Sequence, residues 1–312
     1  MKSQRILIPG GAGQVGQNLI LRLKAKGYSN LVVLDKHVHN LGVLKSIHPD
    51  IRTIEVDLSQ PGEWQNEFKG ADAVVMLQAQ IGSLNYADFD MNTVRSTKLV
   101  LEAMLKHGSS YLVHVSSSVV ASSVENFYNR SKIAQEEMIL ASGIKCPILR
   151  PTLMFGWFDR KHLGWLSRFI QKTPVIPIPG DGRYERRPLF VGDFCEIIIS
   201  CIEKRSPVGI FNIFGQQKID YIDMVRMIKK STSSRAIVVC IPYSLFYALL
   251  WMWSCINKNP PFTTQQLEYL VAKYHYEVID WQTIFGVTGT PFQEALNETY
   301  RDTKYSRVAL EF

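Results

Sequence analysis

A short apolar run, Ile6-Leu7-Ile8-Pro9, breaks directly into Gly10-Gly11-Ala12-Gly13-Gln14-Val15-Gly16, and helical spacing follows to Lys26. Few folds accommodate such a passage. The chain must turn tightly at Gly10, leave its backbone bare at Gly13, and let the helix pack close to the strand at Gly16. Bare backbone at a helix N-terminus holds anions, because unpaired N–H groups and the positive end of the helix dipole point at them. The diphosphate of a dinucleotide fits that requirement. A second apolar run ends in Asp35, about 20 residues further on, where a carboxylate can accept from both ribose hydroxyls. Asp35 also repels a 2′-phosphate and Gln14 brings no positive charge, so the expected cofactor is NAD; Lys36 is the one opposing charge.

The same rhythm of apolar run, turn and helical segment continues through the first half. Strands are expected at 5–9, 31–35, 51–56, 73–78 and 110–116, with helices near 14–26, 41–47, 61–68 and 90–107. Near-continuous apolar strands alternating with helices imply a parallel sheet covered on both faces. Right-handed crossovers make this an α/β, doubly wound parallel sheet of the Rossmann kind. Beyond Arg150 the pattern is irregular and rich in Pro and Gly. The expected division is therefore 1–150 for the cofactor and 151–312 mainly for substrate, a smaller C-terminal domain, with 188–215 returning to the sheet domain.

The fifth strand ends in Ser116-Ser117-Ser118, and Tyr128-Asn129-Arg130-Ser131-Lys132 follows. On a helix Tyr128 and Lys132, four residues apart, share a face. An ammonium beside a phenol favours the phenolate and draws a pKa of about 10 toward neutrality. Such a tyrosine can take a proton from an alcohol while the carbon gives hydride to a nicotinamide, with Ser118 bonding the same oxygen.

Taken together, the sequence resembles an extended short-chain dehydrogenase/reductase of the NAD-dependent epimerase/dehydratase family. The likeness covers most of the chain. It rests on the glycine turn (10–16), Asp35, Asp57-Leu58, Leu77-Gln78-Ala79, Asn92, Thr97, the serines at 116–118, YNRSK (128–132), LRPTLMFG (149–156) and RPLFVGDF (187–194). The resemblance implies that Gly10, Gly13, Gln14, Val15, Gly16, Asp35 and Leu77 border NAD. It also implies Asp57 and Leu58 at the adenine, Ala79 at the cofactor ribose, Lys132 on the nicotinamide ribose and Pro151 near the carboxamide. Arg187 and Gln80 would face the substrate, and Ser118, Tyr128 and Lys132 would be catalytic. The sequence departs from the family in a short loop between Ser118 and Tyr128, in Gln78 and Gln80 on the fourth strand, and in having no acid at 118–120. Dehydration needs that acid, so epimerisation or simple dehydrogenation of a nucleotide sugar is the expected chemistry. A hydroxysteroid-type alcohol dehydrogenase at a membrane and a non-catalytic NAD-binding subunit are the alternatives.

The formal charge of +7 favours an anionic ligand. Basic residues gather at Arg160, Lys161, Arg183, Arg186 and Arg187. No helix carries a long basic stripe and no recognition motif occurs, so nucleic acid is not an expected partner. The five cysteines show neither paired nor metal-ligand spacing, as in a reduced, cytoplasmic protein without a metal. The opening apolar run is too short for a signal peptide. From 241 to 256 runs IPYSLFYALLWMWSCI, apolar on every side and short of the ~20 residues that cross a bilayer. Three placements are open for it: core of the C-terminal region, a peripheral membrane contact, or a subunit contact such as a homodimer. Similar stretches occur in the membrane-associated steroid dehydrogenases of the same superfamily, and 260–270 is also similar to that branch.

Overall fold

The computed structural model describes residues 2–121, 126–257, 262–272, 279–308 and 310–311. Residues 122–125 of the short serine–tyrosine loop, and 260–261 of the segment likened to steroid dehydrogenases, lie outside that set.

Seven strands build the central sheet: β1 (Ile6–Pro9), β2 (Leu31–Asp35), β3 (Arg52–Glu55), β4 (Ala73–Met76), β5 (Leu112–Val115), β6 (Pro147–Pro151) and β7 (Gly209–Ile213). Their spatial order is β7-β6-β5-β4-β1-β2-β3 and every pairing is parallel. Alternate residues feed opposite cores. Ile6, Ile8, Val33, Val75 and Val113 enter one apolar cluster, while Leu7, Val32, Leu34, Val74 and Leu112 enter the other. Burial on both faces is why β1, β2, β4 and β5 read as apolar runs, while the edge strand β3, Arg52-Thr53-Ile54-Glu55, has no buried residue.

Helices α1 (Gln14–Ala25) and α2 (Val38–Ile47) cross between the first three strands. The segment expected as one helix at 90–107 is interrupted: a π-helical turn over Asp90–Arg95 precedes α3 (Ser96–His107). The expected 61–68 helix is a 3-10 turn, Glu63–Phe68. Next come α4 (Phe127–Ala141), α5 (His162–Lys172), α6 (Val191–Lys204) and α7 (Tyr221–Ser231). A two-stranded parallel pair, Val175–Pro179 with Ile237–Ile241, leads into α8 (Tyr243–Ile256).

The aromatic segment does not occupy the core. Along α8 only Leu250 is buried, and Leu245, Leu249, Trp251, Met252 and Trp253 are exposed. Apolar composition suggests burial, but a helix apolar all round needs neighbours on every side, and the chain supplies them on only one. Among the described residues no helix is long and apolar enough to cross a membrane.

The strand order reverses between β4 and β1, from which the chain runs outward in both directions. Doubly wound sheets hold ligands at the carboxyl ends of the strands at such a point. A cavity of about 560 Å³ opens there.

Candidate active site

The cavity is floored by the glycine turn. Gly10 has φ +76°, and a Cβ there would come within 2.3 Å of the Gln78 backbone nitrogen. At Gly16 a Cβ would meet the Gly11 carbonyl oxygen at 2.2 Å, so the approach of α1 to the turn excludes any side chain. Gly13 faces open room, its nearest contact being the Gly10 oxygen at 3.7 Å. Asp35 ties this turn to β2, since its carboxylate accepts the N–H of Ala12 and that of His37, each at 3.0 Å.

The carboxyl ends of β2 to β6 bring Asp35, Asp57, Leu58, Leu77, Ala79, Gln80, Ser118 and Pro151 to one cavity, together with Gly10, Gly13, Gln14, Val15, Gly16 and Tyr128. Lys36, the charge that opposes NAD, also lines this cavity but is paired within it. Its ammonium donates to Asn92 Oδ1 at 2.6 Å and lies 3.9 Å from Asp57, while Asn92 donates to Gln80 Oε1 at 2.7 Å. Burial raises the Asp57 carboxyl, but bonds to Ser59 and the charge of Lys36 together hold it below the usual value.

Two buried amides have unmet capacity. Gln78 is 8% exposed, lines the cavity, and neither its Oε1 nor its Nε2 has a hydrogen-bond partner. Gln14 Nε2 is likewise unpartnered. Buried polar atoms rarely stay so. Orphaned amides beside a bare glycine turn and a ribose-binding type of carboxylate fit a dinucleotide with polar edges along its length.

Helix α4 carries Tyr128 and Lys132. Asn126 caps it, its side chain accepting the Asn129 N–H at 2.8 Å, which puts Tyr128 in the first turn and Lys132 one turn later. Tyr128 is half-buried, and burial raises its hydroxyl above the ordinary range. A hydrogen bond with the Ser117 side chain opposes that rise. Lys132 is not among the groups acting on it, so the expected lowering of the phenol by the lysine is not found here.

The reason lies in where Lys132 goes. It is 1% exposed and does not line the cavity. Its ammonium donates to the Val115 carbonyl at 2.9 Å and to Gln135 Oε1, and Gln135 donates to Thr97 Oγ1 at 2.6 Å. Desolvation lowers Lys132 to about 7, against the pull of Glu136. Glu136 is itself gripped by Arg150, through Nε at 2.9 Å and Nη2 at 2.5 Å, and accepts from Ser116. Bidentate Arg–carboxylate geometry of this kind is among the strongest of ion-pair arrangements.

Arg187 is also outside the cavity lining. Its Nε bonds Glu185 at 2.9 Å and its Nη1 bonds the Gln216 carbonyl at 3.2 Å.

The sequence reading missed several residues that line the cavity. Ser117 was passed over for its neighbour Ser118, although a run of three serines leaves the choice to backbone geometry. Asp159, Lys161 and His162 form a further wall, and Asn40 and Glu311 another part of the rim. Phe158 and His162 both have left-handed backbone, φ 65° and 44°, a strained state for residues with side chains. Asp159 is buried, its carboxyl pushed up to about 7 by desolvation despite accepting the Gly164 N–H at 2.8 Å. Only basic character marked this loop in the sequence.

A model of the NAD dependent epimerase/dehydratase family matches residues 6–213. dTDP-4-dehydrorhamnose reductase of Aggregatibacter actinomycetemcomitans is 21% identical over 302 residues, spanning 89% of this chain and 96% of that protein. NADH dehydrogenase [ubiquinone] 1 alpha subcomplex subunit 9 of Dictyostelium discoideum is 23% identical over 315 residues, 95% of this chain and 85% of that one. Among solved structures, UDP-glucuronic acid 4-epimerase from Bacillus cereus in complex with NAD superposes with a TM-score of 0.74 at 18% identity, covering 96% of this chain and 98% of that chain. At that identity the likeness speaks for the fold.

Proposed function

The chain belongs to the NAD-dependent epimerase/dehydratase family, and from that membership we propose that it is an NAD-dependent nucleotide-sugar epimerase or a closely related dehydrogenase/reductase. The observation that carries this reading is the single cavity shared by the glycine turn, Asp35, Ser117, Ser118 and Tyr128. NAD, when bound, supplies the acceptor and donor of hydride. The proposed holders of the diphosphate are Gly10, Gly13, Gln14, Val15 and Gly16, with Asp35 for the adenosine ribose, Asp57 and Leu58 for the adenine, and Leu77, Ala79 and Pro151 further along.

In this reading Tyr128 is the base that takes the proton from a sugar hydroxyl and the acid that returns it. Ser118 hydrogen-bonds the same oxygen and Ser117 steadies the phenolate by donation. Lys132, one turn along α4 from Tyr128, is proposed for the nicotinamide ribose and the catalytic set once it gives up its bonds to the Val115 carbonyl and Gln135. Gln80 is a substrate contact at the rim. Arg187 remains a proposal for substrate phosphate only if the pair with Glu185 opens; Lys161, which lines the cavity, is the better-sited cation. An epimerase returns hydride to the opposite face of the keto sugar, so the net reaction needs no added oxidant. No acid stands at 118–120, which favours this chemistry over dehydration.

Likeness to a respiratory-complex subunit keeps a non-catalytic reading in play, but a chain freed from catalysis has no need of Ser118, Tyr128 and Lys132 together. The exposure of α8 supports a peripheral membrane contact, with a homodimer contact or a lipophilic alcohol as the competing use of the same face. The test of the main reading is mass spectrometry of the purified protein for retained NAD, followed by UDP-, GDP- and dTDP-sugars watched by NMR. Inversion at one carbon without net NADH would support an epimerase; no change in any sugar would sink it.

A further inference from the structure

Leu310 and Glu311 reach back to the rim of the dinucleotide cavity, and Glu311 is one of its lining residues. They are held from two sides. Asn40, in α2 and only 4% exposed, donates its Nδ2 to the Glu311 carbonyl and accepts the Glu311 N–H on Oδ1, both at 2.9 Å. The Asn40 carbonyl in turn accepts from Gln17 Nε2 at 3.1 Å, and the same amide donates to the Ala12 carbonyl at 3.1 Å. The clamp is therefore anchored on the glycine turn itself. From another wall, Arg160 Nη1 donates to the Leu310 carbonyl at 3.3 Å. Arg160 sits between Asp159 and Lys161, both lining residues, and Leu310 is 1% exposed.

This crossing lies at a particular end of the cavity. Asn40 lies in the first turn of α2, whose N-cap is His37, and His37 follows Asp35 by two residues. Its position next to Asp35 puts Glu311 at the adenosine end, where His39 Nδ1 lies 3.9 Å from the Glu311 carboxylate.

We propose that residues 310–311 are a strap across the adenosine end of the dinucleotide cavity, clamped by Asn40 and Arg160, and that this strap sets how fast the dinucleotide leaves. The proposal rests on the NAD reading given above and adds to it a means of retention. A nucleotide-sugar epimerase must keep its reduced cofactor between two half-reactions, because loss of NADH after the first leaves a keto sugar stranded. A strap joining two walls answers that need, since the nucleotide can leave only when bonds to both are given up.

The experiment is a stopped-flow chase: NADH bound to the protein is displaced by excess NAD⁺ and its fluorescence is followed. Arg160 is exposed, so Arg160→Ala removes one anchor at small cost to the fold; Asn40→Ala removes the other. Loss of hydrogen bonds of this kind corresponds to a change of about tenfold. Each variant is expected to release NADH about tenfold faster, and the double variant faster again, while Arg160→Ala melts without nucleotide at the wild-type temperature. Release from both single variants within twofold of wild type would overturn the strap. A wild-type protein that binds no NADH at all would instead remove the NAD reading, and the strap with it.

Discussion

Ser117 and Tyr128 line the same cavity, and the Ser117 side chain is the group that opposes the upward push of burial on the Tyr128 phenol. A base at Tyr128 thus depends on Ser117 for its ionisation. Tyr128→Phe should lower kcat by roughly 10²- to 10⁴-fold, the usual worth of a general base, with NAD affinity by titration unchanged. Ser117→Ala removes a group that lowers the phenol, so the acidic limb of the pH–rate profile, on which a base must lose its proton, should move to higher pH. Ser118→Ala should lower kcat without that displacement. Retained activity in Tyr128→Phe, or an unmoved profile in Ser117→Ala, would refute these roles.

Lys132 makes stability depend on pH in a stated direction. Its folded pKa, about 7, lies below the ~10.4 of an unfolded lysine. Below pH 7 the lysine is protonated in both states and contributes no slope. Between about 7 and 10.4 the unfolded chain holds a proton that the folded chain has released, so stability rises with pH by at most about 1.4 kcal/mol per unit. Lys132→Met should abolish that increment. Urea unfolding at pH 7, 8 and 9 compares the two proteins, and equal slopes would count against a neutralised Lys132.

Asp35 should govern the choice of dinucleotide. Lys36 lines the same cavity but is paired with Asn92 and lies 3.9 Å from Asp57, so the Asp35 carboxylate is the charge whose removal is tested. Like charges brought together cost several kcal/mol. In Asp35→Ala the ratio of NADP⁺ to NAD⁺ dissociation constants should fall at least about tenfold. NAD⁺ itself should bind less tightly, because the Ala12 N–H loses its acceptor. Calorimetric titration with both nucleotides measures the ratio, and an unchanged value takes Asp35 out of the selection.

The face of α8 gives a prediction independent of the cavity. Replacing Phe246, Trp251 and Trp253 by polar residues should leave the melting temperature near wild type, since Trp251 and Trp253 are exposed and Phe246 is half-buried. The variant should no longer sediment with anionic vesicles if the helix is a membrane contact. Equal sedimentation of both proteins would dispose of that use, and a change from dimer to monomer would assign the face to a second copy.

Much of the architecture could be read along the chain because its signals are local. Glycines at 10, 13 and 16 between a strand and a helix demand one kind of turn, and the apolar runs of β1, β2, β4 and β5 demand a sheet buried on both faces. The cavity lining accordingly contains the glycine turn, Asp35, Asp57, Leu58, Leu77, Ala79, Gln80, Ser118, Tyr128 and Pro151. The interruption of the 90–107 helix by a π-helical turn was not legible, because its residues keep an ordinary helical pattern. Nor was the exposure of α8, since composition records how apolar a helix is and not how many neighbours the fold can bring to it.

What the sequence by itself determined was the set of groups that can do chemistry: a glycine turn between strand and helix, the carboxylate of Asp35, serines, a tyrosine and a lysine four residues beyond it. Tertiary structure alone decided which of them meet. It sank Lys132 against the Val115 carbonyl and tied Arg187 to Glu185, gave Tyr128 Ser117 for a partner, and carried Glu311 across the chain to Asn40. Spacing along a helix fixes direction to within a face, but whether two charged groups touch depends on desolvation and on competing partners from distant segments, and those are settled only when the chain has packed.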